Sequence, residues 1–303
     1  MSEFLPLGHW VDQSVHYLLD HDAATFDAVG RAIEGLAALI ERGLQSVPMW
    51  LMMALFIGIG LWRVGWRFAL FTAASLFVIF ATGFWDQTVI TLGLTLSSTI
   101  ISLILGVPLG IWAAKSRVVA AVVRPILDLM QTMPAFVYLI PAAMLFGLGR
   151  VPGILSTVIF AMPPAVRLTS LGIRQVNMEI VEAGYAFGCT PWQLLYKVQF
   201  PNALPSIMQG VNQTIMMALS MVIIASMVGA GGLGNEVLAS IQRLDIGLGF
   251  KSGLSVVLLA IILDRITQSF GAKAAVPSKS RWAMPAFMHR LMPAPSARSN
   301  PTH

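Results

Sequence analysis

Glu182–Pro201 reads EAGYAFGCTPWQLLYKVQFP, a water-accessible interruption in a chain otherwise built for lipid. Its grammar is that of two short helices folded back on each other. Asn177 caps the first, which runs through Val181 and Tyr185 to Gly188, where a residue tolerant of positive φ ends a helix at little cost. Thr190 is the next N-cap, with Pro191 at the first helical position and Gln193 three residues after the cap, so three start signals coincide. The second helix is expected to stop at Pro201, which has no N–H to donate. Ala183, Gly184, Ala186 and Gly188 leave one side of the first helix nearly bare, which is how a surface for another backbone or a bulky side chain looks.

Composition sets the class. Of the 303 residues 56% are hydrophobic and only 11% charged, with a mean hydropathy of +0.77; a soluble domain carries roughly 25% charged residues. The chain is an integral membrane protein. Its pI near 9.7 does not point to nucleic acid, because the bases lie in short clusters beside apolar spans, where they orient a protein in the bilayer. Cys189 is the one cysteine, so an internal disulfide is excluded.

Working outward, residues 1–47 carry seven acids (Glu3, Asp12, Asp20, Asp22, Asp27, Glu34, Glu41) against Arg31 and Arg42, without the pattern of a cleaved signal peptide. Two amphipathic helices fit here. Trp10, Val15, Tyr17 and Leu18 give one apolar side, and Phe26, Val29, Ile33, Leu36, Ala37 and Ile40 give the other. They lie on the membrane surface or form a solvated, partly ordered tail. Residues 48–85 supply two N-terminal spans, 48–62 and 66–85, with Asp86 and Gln87 as a tight turn before a long span 88–114 rich in Thr, Ser and Gly. Residues 118–133 read as an amphipathic helix near the surface. A hairpin of two spans follows, 134–149 and 152–167, broken at Pro141, Pro163 and Pro164, with Arg150 at its bend. Proline frees a carbonyl, which neighbours or a water-filled passage must satisfy, so these three prolines are candidates for a pathway.

After the loop comes a span 206–228 with Asn212, Gln213 and Thr214 where hydrocarbon begins. Such side chains face other helices or line an inner mouth. Gly229, Gly231, Gly232 and Gly234 end that span, and Gly229 and Gly232 complete the candidate pathway or gate set. A short helix over 235–245 and a last span 250–270 precede a basic tail, 271–303. Asp264 and Arg265 fall near the end of the last span and are expected to snorkel. The count is seven spans. Placing the Glu182 loop in the cytoplasm also places Arg63/Arg67, Lys115/Arg117/Arg124 and the basic tail there, and the acidic N-terminus outside, in agreement with positive-inside.

No GxxxxGK[ST] phosphate loop, serine nucleophile elbow or metal-spaced His/Cys cluster is present, so no catalytic, cofactor or metal residue is assigned. Nor does any span hold an ionisable residue at its middle, where a proton- or sodium-coupled carrier keeps one. These features describe a passive pathway driven by another subunit. The alternative is a self-sufficient channel or secondary carrier whose cytoplasmic loop is regulatory.

The loop resembles the EAA loop of permease subunits of ATP-binding-cassette importers: Glu-Ala-small, three residues, Gly, nine residues, aliphatic, one residue, apolar, Pro, falling on Glu182, Ala183, Gly184, Gly188, Val198, Phe200 and Pro201. Gly184 and Phe200 depart from the usual Ala and Leu. The strings QTMPAFVYLIPAAMLFGLG, GVNQTIMMALSMVIIASMVGAGGLG and RLDIGLG make the chain similar to the ProW type, which imports glycine betaine, proline and choline; the resemblance spans about 50–270. It implies an all-α polytopic protein of about seven transmembrane helices with the type I importer permease fold and a cytoplasmic coupling-helix hairpin. The permease domain would occupy 86–270, with the EAA loop at 177–205. Glu182, Ala183, Gly184, Gly188, Val198 and Pro201 would then couple to the ATPase. The implied partners are a cytoplasmic ABC ATPase subunit, which binds the ATP and Mg, an extracytoplasmic substrate-binding protein, a second copy of the chain and the lipid bilayer. The implied place is a bacterial inner membrane.

The topology is checked by cysteine labelling with an impermeant reagent at Ser2→Cys and Ser299→Cys on a Cys189→Ser background. Only the first is expected to label from outside intact cells; equal labelling of both contradicts a seven-span chain.

Overall fold

A peptide group in hydrocarbon must find its hydrogen bond inside its own segment, and this chain answers with helices alone among its described residues. A computed structural model describes the backbone of residues 7–275 and the side chains of 22 and 24–271. The side chains of Trp10, Val15, Tyr17 and Leu18, and the tail beyond 275, lie outside the described residues.

The helices are α1 Leu7–Ser46, α2 Met49–Arg63, α3 Trp66–Ala81, α4 Trp85–Lys115, α5 Arg117–Thr132, α6 Phe136–Phe146, α7 Arg150–Arg174, α8 Met178–Ala186, α9 Pro191–Val228, α10 Leu233–Arg243 and α11 Ile246–Ala275. α4, α7, α9 and α11 are each long and apolar enough to cross a bilayer. Two bent pairs, Ala24–Ser46 with α2 and α5 with α6, turn through 96° each, and with the shorter α3 they bring the apolar segments to seven.

Local chemistry sets the bends and corrects several expectations. α5 and α6 form one broken pair rather than a surface helix followed by an independent span. Pro134 pushes Met133 into extended backbone (ψ 137°), and the Tyr138 hydroxyl donates back across the corner to Leu129 O (3.1 Å) and Met130 O (2.7 Å). Asp86 and Gln87 are already helical, and the turn before α4 is made by Thr82, Gly83 (φ 80°) and Phe84. The prolines read as breaks do not interrupt their helices. α6 runs through Pro141, α7 through Pro163 and Pro164, and α9 through Pro201 and Pro205.

The N-terminal segment is neither tail nor surface helix over Ala24–Ser46. α1 is interrupted at Asp22 (φ −123°, ψ 22°), and the part that follows packs into the bundle. Ala37 and Ile33 join Leu94, Ile154, Val158, Val222 and Ala225 in one apolar cluster.

The centre is a seam of small residues. A Cβ added at Gly110 of α4 would lie 2.7 Å from Val166 O and 2.8 Å from Thr169 Cβ of α7. One at Gly172 of α7 would lie 2.7 Å from Ser206 Cβ of α9. Helix backbones therefore touch, the contact on which packing in lipid depends. α4 buries a row of hydroxyls in the same seam and satisfies many on its own backbone: Thr88 to Phe84 O (2.7 Å), Thr95 to Thr91 O (2.7 Å), Ser97 to Gly93 O (2.7 Å). Asp264 does not snorkel. It is half-buried, accepts from Asn212 Nδ2 (3.1 Å) and Gln268 Nε2 (2.7 Å), and so joins α11 to α9.

Gly110→Ala is expected to destabilise the protein by about 1–3 kcal/mol through overpacking, read as a lower thermal midpoint in detergent. Gly58→Ala, where an added Cβ meets nothing within 4 Å, should not lower it. Equal midpoints for both would show that the seam is not close-packed in solution.

Candidate coupling site and outer gate

The hairpin is built from the inside by its caps. Asn177 Oδ1 accepts from Glu179 N (3.0 Å) to start α8. At its end Cys189 N reaches Gly184 O (3.0 Å) and Gly188 N reaches Tyr185 O (2.9 Å), with Gly188 at φ 77°. That pair is a Schellman stop, and it requires the left-handed residue at Gly188. Thr190 and Gln193 then cap reciprocally: Gln193 N donates to Thr190 Oγ1 (3.3 Å) and Thr190 N to Gln193 Oε1 (3.0 Å), with Pro191 at the first helical position.

The two arms pack through Gly184. A Cβ there would lie 2.6 Å from Leu194 Cδ1 and 3.7 Å from Val198 Cγ2, so the glycine lets α8 settle onto the start of α9. Val181, Gly184 and Leu194 are buried, and Val198 is half-buried. Glu182, Ala183, Tyr185, Gly188 and Pro201 are exposed, as are Phe187 (88%) and Trp192 (79%). Among the described residues the Glu182 carboxylate makes no hydrogen bond or ion pair, so it is not spent on its own loop.

Pro201 does not end the second helix, contrary to its sequence reading. Leu194–Gln199 widens into a π turn in which Phe200 N reaches Leu195 O, five residues back, and Pro201 re-enters as the second residue of a fresh α segment. The wide turn gives the ring room, and Asn202 Nδ2 donates to Val198 O (2.7 Å) beside it. The hairpin is thereby continuous with the whole of α9. It is tied to the end of α4 where Lys115 Nζ donates to Gln199 Oε1 (2.6 Å), and beside it Arg174 Nη2, at the end of α7, donates to Ala113 O of α4 (2.5 Å).

Two clefts flank these ties. One of about 560 Å³ is lined by Trp112, Lys115, Trp192, Tyr196 and Phe200; the other, about 320 Å³, holds Arg124, Arg174 and the Arg167–Asp128 ion pair (2.5 Å).

The candidate pathway residues divide into separate places. Pro163 and Pro164 are buried in the helix packing, with Pro164 O against Gly210, while Pro141 is half-buried in α6. Asn212 is engaged by Asp264 and Thr267, and Gln213 is exposed. Gly229 and Gly232 follow the end of α9, which lies about 24 Å along the helix from Asn212 at ~1.5 Å per residue. They form a loop of positive φ (84° and 77°) after α9. A Cβ on Gly232 would lie 2.5 Å from Thr91 Oγ1, and that oxygen accepts from Leu233 N (2.8 Å). Gly149 N donates to Val228 O (2.8 Å), so the α6–α7 turn closes onto the same loop. Thr91 and Gly149 were not legible as partners of these glycines from local sequence.

Residues 106–275 match the family model described as binding-protein-dependent transport system inner membrane component. The chain is 49% identical over 274 residues to the glycine betaine/carnitine transport permease GbuB of Listeria monocytogenes, covering 89% of this chain and 97% of that one. It is 45% identical over 279 residues to the glycine betaine/proline betaine permease ProW of Escherichia coli (92% and 78% covered) and 46% identical over 269 residues to the glycine betaine permease OpuAB of Bacillus subtilis (89% and 95% covered). Among solved structures it superposes on the MetNI methionine ABC transporter in an inward-facing conformation, with a TM-score of 0.56 at 20% identity, over 62% of this chain and 94% of that chain. That likeness carries the fold.

Thr190→Ala removes one half of the capping box. Loss of such a cap costs about 1 kcal/mol, so amide exchange at Gln193 should quicken roughly fivefold while α4 amides keep their rates. An unchanged Gln193 rate would mean that the packing of Leu194, not the cap, holds the arm.

Proposed function

The chain belongs to the family of binding-protein-dependent transport system inner membrane components, and on that premise we propose that it is the translocation subunit of an ATP-driven importer for quaternary-ammonium compatible solutes. Glycine betaine is the leading solute, with proline or choline as variants; the relatives are named for glycine betaine, proline betaine and carnitine. A cytoplasmic ABC ATPase would hold the nucleotide and Mg, an extracytoplasmic binding protein would deliver the solute, and two copies of this chain would enclose the path.

The observation that carries this reading is the doubly capped hairpin, with an exposed Glu182 and exposed aromatics, that continues through one π turn into α9 and is tied to α4 by Lys115. A push on such an element moves the helices rather than bending a loop. Alternating access is rocking of helix bundles about a fixed path, which needs a rigid lever of this kind. Ser98, Thr99, Ser102, Ser156, Thr169 and Thr214, on α4, α7 and α9, are buried with hydroxyl oxygens that lack a hydrogen-bond partner among the described residues. A hydrated path near that seam would satisfy them.

A solute cage is a different matter. An aromatic cleft with several rings, Trp112, Trp192, Tyr196 and Phe200, has Lys115 in its wall, and an ammonium there repels the cation that such rings would attract. Phe136 is exposed, and the Tyr138 hydroxyl is committed to the α5–α6 corner. We therefore assign solute choice to the external binding protein. Orientation follows the same reading, with the hairpin and the C-terminus in the cytoplasm.

The test compares wild type, Gly188→Val and Glu182→Lys. Valine at the positive φ of Gly188 costs about 1–2 kcal/mol locally, and lysine inverts the charge on the exposed face. Both variants should insert, lose copurification of the ATPase and lose ATP-driven betaine uptake in proteoliposomes, whereas permease alone should be tight to betaine. Wild-type uptake by both variants refutes the lever, and uptake by permease alone favours a self-sufficient carrier.

A further inference from the structure

Arg150 is the first residue of α7, where a positive charge meets the positive end of a helix dipole and is disfavoured. Its compensation comes from α1. Glu41 Oε2 lies 2.5 Å from Arg150 Nη1, and Glu34, two turns earlier on the same helix face, lies 3.9 Å away. The Glu41 side chain is only 10% exposed. Its second oxygen is also used, accepting from Gln45 Nε2 (3.0 Å). The carboxylate is placed by close packing: a Cβ on Gly93 of α4 would touch Glu41 Cβ at 3.6 Å and Leu44 at 3.7 Å, so α1 sits directly on α4. Further along, Phe26 meets Phe146 of α6 edge-on at 5.8 Å.

The turn that Arg150 follows has two left-handed glycines, Gly147 (φ 77°) and Gly149 (φ 139°), and no helix of its own to stiffen it. It is held from two sides. Gly149 N donates to Val228 O at the glycine loop after α9, and Arg150 is anchored to α1. On the reading that puts the Glu182 hairpin in the cytoplasm, this turn is on the outer face.

We infer that Glu41 is a positioning residue for transport: through Arg150 it sets the outer α6–α7 turn against the Gly229–Gly232 loop, and so makes the N-terminal helix part of the outer gate. This rests on the permease reading above. An isosteric Gln keeps the bond to Gln45 and the packing on Gly93 but removes the charge that Arg150 and the α7 terminus require. Exchanging the two charges restores the pair and puts a carboxylate at the helix N-terminus, where the dipole favours it.

The experiment uses the full transporter in proteoliposomes with ATPase, loaded binding protein and ATP. Glu41→Gln should reduce betaine uptake about tenfold and remove the stimulation of ATP hydrolysis by the loaded binding protein. ATPase copurification and hydrolysis without the binding protein should stay at wild-type values. The swap Glu41→Arg with Arg150→Glu should recover at least half of the uptake. Spin labels at Leu39→Cys and Leu148→Cys, both exposed, on the Cys189→Ser background report the turn without transport. Their distance distribution should be narrow in wild type, broad in Glu41→Gln and narrow again in the swap. Wild-type uptake by Glu41→Gln, a swap no better than the single variants, or an unchanged distance distribution overturns the inference. A wild-type complex that imports nothing overturns the importer reading instead, and the distance measurement still decides the role of Glu41.

Discussion

The near-contact of backbones along α4, α7 and α9 is the constraint from which the rest of the molecule follows. Between helices in lipid the hydrophobic effect is largely absent, because hydrocarbon solvates an apolar side chain as well as another helix does. Contact must therefore come from dispersion over closely fitted surfaces, and Gly106, Gly110, Gly153, Gly172 and Gly210 supply the fit. The hydroxyls buried in the same surfaces would oppose this if left open. Thr88, Thr95 and Ser97 spend theirs on the preceding turn, so they fill space without tying α4 to a neighbour, whereas Ser98, Thr99, Ser102, Ser156, Thr169 and Thr214 have no partner among the described residues and do oppose it. Contacts of that kind have no strong direction, and they tolerate small sliding and rocking better than a lattice of interhelical hydrogen bonds.

Directional bonds gather instead at the two ends. At the hairpin end are Lys115–Gln199, Arg174–Ala113 and Arg167–Asp128; at the other are Gly149–Val228, Thr91–Leu233 and Arg150–Glu41. Charged partners belong there, since an ion pair loses less on desolvation near water than in the hydrocarbon centre.

The local part of the site was legible in the sequence because capping is a short-range code. Asn177, Gly188, Thr190, Pro191 and Gln193 act on residues no more than five positions away, and each does what its type and spacing require. The prolines show where that code fails. Pro163 and Pro164 are tolerated because packing, not propensity, holds α7 in a helix, and Pro201 is tolerated because a π turn is inserted just before it. Neither compensation has a sequence signature. The N-terminal segment misled for a related reason. Phe26, Ile33, Ala37 and Ile40 correctly indicated an amphipathic helix, but an apolar stripe does not say whether it faces lipid or protein. Glu34 and Glu41 carried the missing information, and it became readable only once Arg150, more than a hundred residues away, was found opposite them.

Continuity of α9 joins these two ends physically. The helix begins in the hairpin at Pro191 and finishes at Val228, whose carbonyl accepts from Gly149. If the hairpin is the lever proposed above, a helix joined to it at one end and hydrogen-bonded to a glycine turn at the other would transmit displacement, with any yielding confined to its weakest turn. The weakest is the π turn at Leu194–Gln199, because its wider backbone is less well bonded than the α turns on either side. It sits beside Lys115–Gln199, the bond that holds this part of the rod to α4. On the coupling reading proposed above, motion of the hairpin would be taken up first as a change in winding between Leu194 and Phe200 and then passed on along α9, which is helical through Pro205 and tightens to a 3-10 turn at Ser226–Val228 before the glycine loop.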